Sequence, residues 1–333
     1  MRNLKKANAL IGDIARENKF ITPITPKDFP LFQKFFAKEP HTYGNSWTYV
    51  TQGMYGIGPK NLGYKYYDGK NLSAVAIYPK IEQPNLNVFY WVRPMGPTIL
   101  DKIREISSSL LSQKSIPTYA KKLFKNQFDY LAAYGFKDTK NFPWHSSCPS
   151  EDDTHPEQIF DVKKTLTLAE TLPRKKHLRK STIRASKLKT NNRIVTSDKY
   201  FKRDAWRISK QFFSSDISKK KTIISDQYDY YNMIFSNIER SSLTKNIVYV
   251  NDRPLGYYLL EKQDNDYSSL YALIILRERL KFLTDFLLLY ILQKLTTPHL
   301  NMGGSEDQGI YDFKIKYFPI QELKMYWATN FVS

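Results

Sequence analysis

The strongest constraint on the fold is the order of the predicted elements in residues 246–327. A hairpin predicted at 246–250 and 255–261 precedes an apolar strand, a long helix, a short strand, a second helix and a final strand. The long helix is predicted over 279–295, because its leucine and isoleucine residues recur at the spacing of one helical face. Strands joined both by hairpins and by helices predict an α+β domain, in which helices pack on a mixed, mostly antiparallel sheet.

The first half of the chain predicts a second domain with a similar order of elements. Its predicted strands and helices lie at 64–67, 72–78, 88–92, 98–113 and 118–134. A length of 333 residues favours about two domains. The acidic, proline-bounded stretch PSEDDTHPE at 149–157 is typical of a boundary. We therefore predict one domain over 1–157 and another over 158–333.

The charge of the chain restricts the class of partner. Lysine and arginine number 51 against 32 aspartate and glutamate residues, which gives a formal net charge of +19. Such a field attracts phosphate-rich partners, namely nucleic acid, anionic lipid headgroups or nucleotide-bearing substrates. Solubility alone is the simpler explanation of the same charge.

Metal and disulfide chemistry are not expected. A single cysteine, Cys148, excludes an intrachain disulfide framework and a multi-cysteine zinc site. The five histidines are scattered through the chain without a metal-binding spacing. We predict no metal and no tightly bound cofactor.

No segment of the sequence predicts a membrane span. The most apolar stretch, at 282–292, has about half of the ~20 residues that a spanning helix needs, and Asp285 interrupts it. The amino-terminal residues lack the apolar core and cleavage site of a signal peptide. The sequence therefore predicts a cytoplasmic protein.

The densest basic run, LPRKKHLRKSTIRASK at 172–187, is predicted to form a helix. Lys176, Lys180 and Arg184 are four residues apart and would lie on one helical face. That face would suit the backbone phosphates of an RNA acceptor stem or an anionic lipid surface. A run of charged residues is often simply the solvent-exposed face of a helix, and that interpretation of the run stays open.

The second half resembles the acyltransferase fold of the GCN5-related N-acetyltransferases, abbreviated GNAT. In that fold a helix binds the pyrophosphate of the cofactor at its amino end, through a glycine-containing loop. Aligning Leu287 and Leu288 with the family places Arg279 at the basic position of the loop. Phe282 and Thr284 then replace the glycines, and their side chains would obstruct a phosphate. The resemblance therefore implies poor binding of acyl-coenzyme A at this helix.

The chain is more similar to the tandem branch of the same fold. This branch contains the Fem-type aminoacyl-tRNA-dependent transferases and the catalytic domain of lysyl-phosphatidylglycerol synthases. Three segments carry the resemblance, at 136–162, 172–187 and 300–319. The last one, LNMGGSEDQGIYDFKIKYFP, is similar to the strand, Gly-Ser turn and Phe-Lys pair of the family. The resemblance implies two tandem GNAT-type domains.

The same resemblance implies a set of site residues in the second half. Lys314 would be catalytic and would stabilise the oxyanion or the leaving 3′-oxygen of a tRNA. Glu306 or Asp307 would accept the amine proton or hold a cationic substrate, although both residues would equally suit a helix start. The predicted substrate-binding residues are Lys176, Lys180, Arg184, Arg279, Ser305 and Phe313.

These features predict a transferase that moves an activated acyl or aminoacyl group to an amine or hydroxyl acceptor. The expected donor is an aminoacyl-tRNA, and the acceptor is a small molecule or a peptide. One alternative is an N-acetyltransferase that uses acyl-coenzyme A as its co-substrate. A second alternative is a non-catalytic module that binds RNA or an anionic membrane surface.

Overall fold

The computed structural model describes most of the chain. The described residues are 21–38, 41–51, 64–68, 71–82, 86–94, 97–114, 117–138, 155–214, 243–276, 280, 282–305 and 308–330. The chain divides into two compact units, whose main sequence boundary is between Pro149 and Ser150. Two short segments cross that division: His41–Tyr43 belong to the second unit, and Lys324–Ser333 belong to the first. The predicted split into 1–157 and 158–333 stays a prediction.

The first unit begins with short elements and continues as a sheet. Its helices are α1 (Phe29–Phe36), α2 (Trp47–Thr51), α3 (Pro97–Lys114) and α4 (Lys125–Ala132). Its strands before the boundary are β1 (Ile21–Pro23), β2 (Tyr64–Asp68), β3 (Asn71–Glu82), β4 (Leu86–Pro94), β5 (Thr118–Leu123) and β6 (Lys137–Asp138). Trp91, Ile103 and Ala120 are fully buried in its apolar core.

The second unit has its own sheet and its own core. Its strands are β7 (Glu157–Asp161), β8 (Ile194–Ser197), β9 (Leu243–Val250), β10 (Arg253–Lys262), β11 (Tyr267–Ile275), β12 (His299–Asn301) and β13 (Gln321–Leu323). Its helices are α5 (Val162–Thr171), α6 (His177–Asn191), α7 (Phe201–Ser214), α8 (Leu283–Lys294) and α9 (Gln308–Ile315). The last strand of the chain, β14 (Tyr326–Thr329), belongs to the first unit.

Both sheets follow one plan. The strand orders are β1-β2-β3-β4-β5-β14-β6 and β13-β7-β12-β11-β10-β9-β8. Among the described strands, each sheet contains one parallel pair, and a helix joins its two members. The helix is α3 between β4 and β5, and α8 between β11 and β12. This repeated strand–helix–strand unit confirms the predicted α+β class.

The hairpin of the second half forms as the sequence predicts. Asn251 and Asp252 both have positive φ angles, of 50° and 63°, and β9 and β10 pair antiparallel on either side of them. Two central residues with positive φ form the type of turn that matches the twist of the strands it joins. The local turn chemistry therefore sets the register of this part of the sheet.

The helix predicted over 118–134 is wrong in its first part. Residues 118–134 were expected to form a single helix, but Thr118–Leu123 form the buried strand β5, and only Lys125–Ala132 are helical. Lys121 and Lys122 are both buried in this strand. Their ammonium groups lie over the rings of Trp327 and Tyr49 respectively. These contacts replace the solvent that a lysine otherwise needs.

The core of the second unit lies beneath three helices. Helices α5, α6 and α8 pack together on one face of the sheet, where Phe160, Leu287 and Leu300 are fully buried. Helix α7 packs on the other side, and Ser209 bonds with the hydroxyl of Tyr257 at 2.8 Å. This packing fixes the central strands from which the candidate site is built.

The described helices give no candidate membrane span. None of them is both long and apolar enough to cross a bilayer.

Candidate functional site

The sheet of the second unit opens between β11 and β12. The two strands are paired only at Tyr267–His299, Ser268–Leu300 and Ser269–Asn301. Strand β11 continues to Ile275, and Tyr271 is inserted as a bulge in its pairing with β10. Beyond Asn301 the chain stays with the strand on its other side, since Met302 N–H donates to Gln158 O at 3.0 Å. The strands therefore part after the Ser269–Asn301 pair.

Four polar side chains lie at the inner end of this opening. The register places Glu261, Ser269 and Asn301 side by side on one face of three adjacent strands. Asn301 Nδ2 donates to Glu157 Oε2 at 3.1 Å, which brings the fourth side chain into the same group. We call these four residues the polar row. Every one of them is at most 3% exposed.

A segment from early in the chain covers the polar row. Tyr43 N–H donates to Glu157 Oε2 at 2.6 Å. The Tyr43 hydroxyl donates to the carbonyl oxygens of Tyr271, at 3.2 Å, and Leu270, at 3.5 Å. The Tyr43 ring stacks on that of Tyr271 with 5.7 Å between centroids. Residues 41–43, which we call the cover segment, therefore lie across the opening at the bulge.

His41 fixes the other end of the cover segment. Its ring stacks on Tyr267 at 3.6 Å between centroids, and its Nε2 is 3.2 Å from Asp264 Oδ2. Burial lowers the pKa of His41, and this effect outweighs the attraction of Asp264 and Asp266 for a proton. The imidazole is thus held mainly by stacking and hydrogen bonding.

Lys314 lies on the β12 side of the opening. The residue is buried, and its ammonium group donates to Met302 O at 2.8 Å, Gly303 O at 3.2 Å and Gly304 O. Each of its three N–H groups can therefore be matched to a carbonyl of the turn that follows β12. The predicted contact of Lys314 with a reactive carbonyl stays a prediction, and the structure shows a lysine that fixes this turn.

The other residues predicted around Lys314 have different environments. Ser305 is fully buried and forms a β-bridge with His155, and its hydroxyl has no hydrogen-bond partner among the described residues. The Phe313 ring packs against Tyr317 at 5.5 Å, on the surface of the core. Arg279, Glu306 and Asp307 lie outside the described residues, and so does Cys148.

The amino end of α8 is built without glycine. Phe282 precedes the helix with φ 71° and ψ 6°, a left-handed conformation that glycine adopts most easily. The helix begins at Leu283, four residues later than predicted, because a left-handed residue cannot continue a right-handed helix. Phe282, which the comparison with the GNAT loop aligned with a glycine, therefore carries a bulky side chain on a backbone that has a conformation typical of glycine.

A carboxylate from the protein itself occupies the first turn of α8. Asp285 is buried, accepts a hydrogen bond from the Tyr317 hydroxyl at 2.5 Å and forms an ion pair with Lys316. Burial raises the pKa of Tyr317 well above its usual value, and the charge of Asp285 raises it further. The positive end of the helix dipole is therefore already matched by a negative side chain.

Helix α6 presents the predicted basic face. Lys180 and Arg184 lie one turn apart on its exposed side, and Lys176 is the exposed residue that caps its amino end. The Arg184 guanidinium lies 4.8 Å above the centre of the Phe282 ring. The basic face of α6 thus adjoins the amino end of α8.

Sequence reasoning missed the polar row and its cover segment. Glu157 was placed in the boundary stretch, although it is a buried residue of β7. Tyr43 lies 114 residues away in sequence, in an aromatic segment that gave no indication of its partner. The polar residues Ser268, Ser269 and Asn301 within β11 and β12 were the available signal, since buried strands are usually apolar.

Metal ligands do not converge in the described part of the chain. It contains no group of three histidine, cysteine, aspartate or glutamate side chains arranged to hold a metal ion.

Comparison with solved structures shows which fold this is. FemX superposes with a TM-score of 0.60 at 11% identity, over 94% of this chain and 97% of its own. L-PGS from Bacillus licheniformis gives a TM-score of 0.55 at 12% identity, over 91% and 93% of the two chains. A tandem GNAT protein from the clavulanic acid biosynthesis pathway gives 0.51 at 10% identity, over 94% and 99%.

No protein-family model matches the sequence, and no curated protein does. The fold is that of tandem GNAT proteins, of the kind found in FemX and L-PGS.

Proposed function

We propose that this protein is an aminoacyltransferase that moves an aminoacyl group from an aminoacyl-tRNA to an acceptor. The tandem GNAT fold and the resemblance to Fem-type aminoacyl-tRNA-dependent transferases support the proposal. The observation that carries it is the basic face of α6, which adjoins the amino end of α8 through Arg184 and Phe282.

The charge distribution of α6 favours a phosphate-rich ligand. Residues 172–189 contain eight lysine and arginine residues and no acidic residue. Several of these cations lie at or just before the amino end of the helix, where the dipole opposes positive charge by about 0.3–1 kcal/mol each. A polyanion that neutralises these cations offsets this cost and releases its counterions.

The amino end of α8 disfavours acyl-coenzyme A as the donor. The Phe282 side chain stands where a phosphate would need close approach to the backbone, and Asp285 adds a negative charge to the first turn. A pyrophosphate would meet both obstacles. A tRNA held by α6 needs no phosphate at that position.

The opening between β11 and β12 is the proposed place of transfer. The amine nitrogen of the acceptor attacks the ester carbonyl carbon, a C–N bond forms, and the bond to the tRNA 3′-oxygen breaks. The amine loses a proton and the 3′-oxygen gains one. Lys314 holds the turn at 302–304 in place. In this proposal its positive charge also stabilises the oxygen atoms that become negative.

The donor is tested by tRNA binding at several salt concentrations. Lys180→Ala/Arg184→Ala should weaken binding and reduce the slope of log affinity against log salt by about 1.4–1.8, because roughly 0.7–0.9 of slope is lost per phosphate contact. The matched control is Lys262→Ala/Lys294→Ala, which removes two exposed cations elsewhere in the second unit. Equal effects of the two pairs, or binding to anionic vesicles but not to tRNA, would contradict the proposal.

A further inference from the structure

The exposed side of α7 combines positive charge with aromatic rings. Residues 199–210 include five lysine and arginine residues, and all five are exposed. They are Lys199, Lys202, Arg203, Arg207 and Lys210. The only acidic residue in this stretch of sequence, Asp204, is buried. We call the five cations, together with Tyr200 and Trp206, the α7 face.

The two aromatic side chains of the α7 face are exposed. Trp206 is 43% exposed and Tyr200 is 48% exposed, although burying rings of this size stabilises a fold. Single apolar residues on a surface need no explanation, but these two rings lie within seven residues of each other. Trp206 comes four residues after Lys202 and four before Lys210, so a cation, a ring and a cation follow one another along the helix.

Arg203 is fixed in position although it is exposed. Its guanidinium donates to both carboxylate oxygens of Asp204, from Nε at 2.8 Å and from Nη2 at 3.1 Å, and lies 4.5 Å from the centre of the Tyr200 ring. The Tyr249 hydroxyl also donates to Asp204. The Arg203 side chain is nevertheless 69% exposed. A guanidinium held in this way has little conformational entropy left to lose when it contacts a ligand.

The sheet beside α7 adds an apolar surface. Val195 of β8 pairs with Tyr249 of β9, and cross-strand partners project from the same side of a sheet. Tyr249 reaches Asp204 of α7, so Val195 also lies on the α7 side, where it is 43% exposed. Strand β8 is at the edge of its sheet. The α7 face therefore continues onto an exposed sheet edge.

The alternation of rings and cations selects an unpaired, phosphate-rich strand as the ligand. Unpaired bases stack on aromatic rings and on arginine, while the phosphates between them contact cations. A duplex offers phosphates but keeps its base faces stacked, so it does not use the Trp206 ring. A membrane surface is less suitable, because helices that lie in the bilayer interface have their rings and cations on opposite faces. Here Trp206 lies between Lys202 and Lys210.

We propose that the α7 face binds single-stranded RNA, with one base stacked on Trp206 and phosphates contacting Lys202 and Lys210. The choice of RNA rests on the proposed function, because an aminoacyl-tRNA carries unpaired nucleotides. Helix α7 packs on the opposite side of the sheet from α6. The α7 face is therefore a separate RNA contact, and it is not a continuation of the basic face of α6.

Fluorescence anisotropy with a labelled oligoadenylate of about 12 nucleotides tests the site, and an RNA duplex of the same length is the comparison without free base faces. The full-length Lys180→Ala/Arg184→Ala variant is the background, so that α6 does not mask the result. Adding Trp206→Ala should weaken single-strand binding by about fivefold or more, which is what stacking of one base contributes. The slope of log affinity against log salt should stay the same, because no cation is lost. Trp206→Phe keeps a ring and should retain most of the affinity.

Lys202→Ala/Lys210→Ala should give the complementary result. The slope should fall by about 1.4, since roughly 0.7 is lost per phosphate contact of a single strand. Tyr134→Ala is the matched control for loss of an exposed ring. Tyr134 is in the first unit, is 51% exposed and has the Arg104 guanidinium 4.3 Å from its ring centre. Its removal should not change RNA affinity.

Three results would overturn the inference even if the protein transfers label from aminoacyl-tRNA. The first is equal weakening of single-strand and duplex binding by Trp206→Ala, or no weakening at all. The second is tighter binding of the matching DNA strand. The third is an effect of Trp206→Ala on binding to vesicles of phosphatidylcholine and phosphatidylglycerol but not on binding to RNA. Single-strand binding that depends on Trp206, without any label transfer, would instead refute the proposed function and leave the α7 face standing.

Discussion

Arg184 and Phe282 join two helices of the second unit, with the guanidinium carbon 4.8 Å above the ring centre. Phe282 makes this contact from a backbone with φ 71°. A residue with a Cβ atom pays about 1–2 kcal/mol for that conformation, and the surrounding contacts must offset it.

Paired substitutions at Phe282 measure this strain. Both Phe282→Ala and Phe282→Gly remove the ring, but only glycine accepts positive φ without cost. We expect the glycine variant to be more stable than the alanine variant by about 1 kcal/mol in urea unfolding. An alanine variant of equal or greater stability would show that position 282 is not strained.

Lys314→Met tests the structural role of the buried ammonium group. The substitution keeps most of the side-chain length but leaves the carbonyls of Met302, Gly303 and Gly304 without their donor. We expect a loss of about 2–4 kcal/mol in the free energy of unfolding, because unsatisfied buried acceptors are costly. Lys294→Met, at an exposed position, is the control and should change stability by less than about 0.5 kcal/mol. A loss at Lys314 no larger than the control would refute this role.

Tyr317 makes the stability of the protein sensitive to alkaline pH. Its pKa is raised in the folded state, first by burial and then by Asp285, so the folded protein keeps the proton that the unfolded chain loses. The resulting stability is fully present below about pH 10 and decreases as the pH rises above that value. Tyr317→Phe should reduce this decrease between pH 9 and pH 11, measured by urea unfolding at each pH.

Other tyrosines preserve part of the alkaline effect in that variant. Burial raises the pKa of Tyr249 and of Tyr258 to about 12 in each case. The Tyr317→Phe profile should therefore be flatter than that of wild type without becoming level. Identical profiles for the two proteins would show that Tyr317 ionises equally in the folded and unfolded states.

His41 makes the cover segment sensitive to acid. Burial lowers its pKa despite the opposing charges of Asp264 and Asp266, while His299 adds a lowering effect and Tyr267 packs against the ring. Stability from this residue is present above about pH 6.5 and is lost as the pH falls through the folded pKa. His41→Phe keeps a ring to stack on Tyr267, and it should reduce the loss of stability between pH 7 and pH 5. A steeper loss in the variant would contradict this assignment.

Local patterns predicted the elements whose signals lie within a few residues. Asn251 and Asp252 mark a turn by their own conformational preferences, and the core helix α8 shows its leucine spacing. Strand β5 was mistaken for a helix, because the aromatic rings that shield Lys121 and Lys122 come from distant parts of the sequence. Tertiary contacts override local propensity at such positions.

The candidate site was only partly predictable for the same reason. Lys314 and the basic face of α6 belong to continuous motifs, so their residues could be named from the sequence. The polar row depends on the register of four strands, and its cover segment comes from residues 41–43. No local pattern fixes that register, because each strand is stabilised by partners far away in sequence.

The central claim is tested most directly by incubating the protein with a set of radiolabelled aminoacyl-tRNAs and a primary amine acceptor, n-butylamine. The account predicts that label leaves the tRNA and appears in an amide of the amine, and that Lys180→Ala/Arg184→Ala slows this transfer more than Lys262→Ala/Lys294→Ala. Firm tRNA binding with no label moved from any aminoacyl-tRNA, or transfer from acetyl-coenzyme A alone, would contradict it.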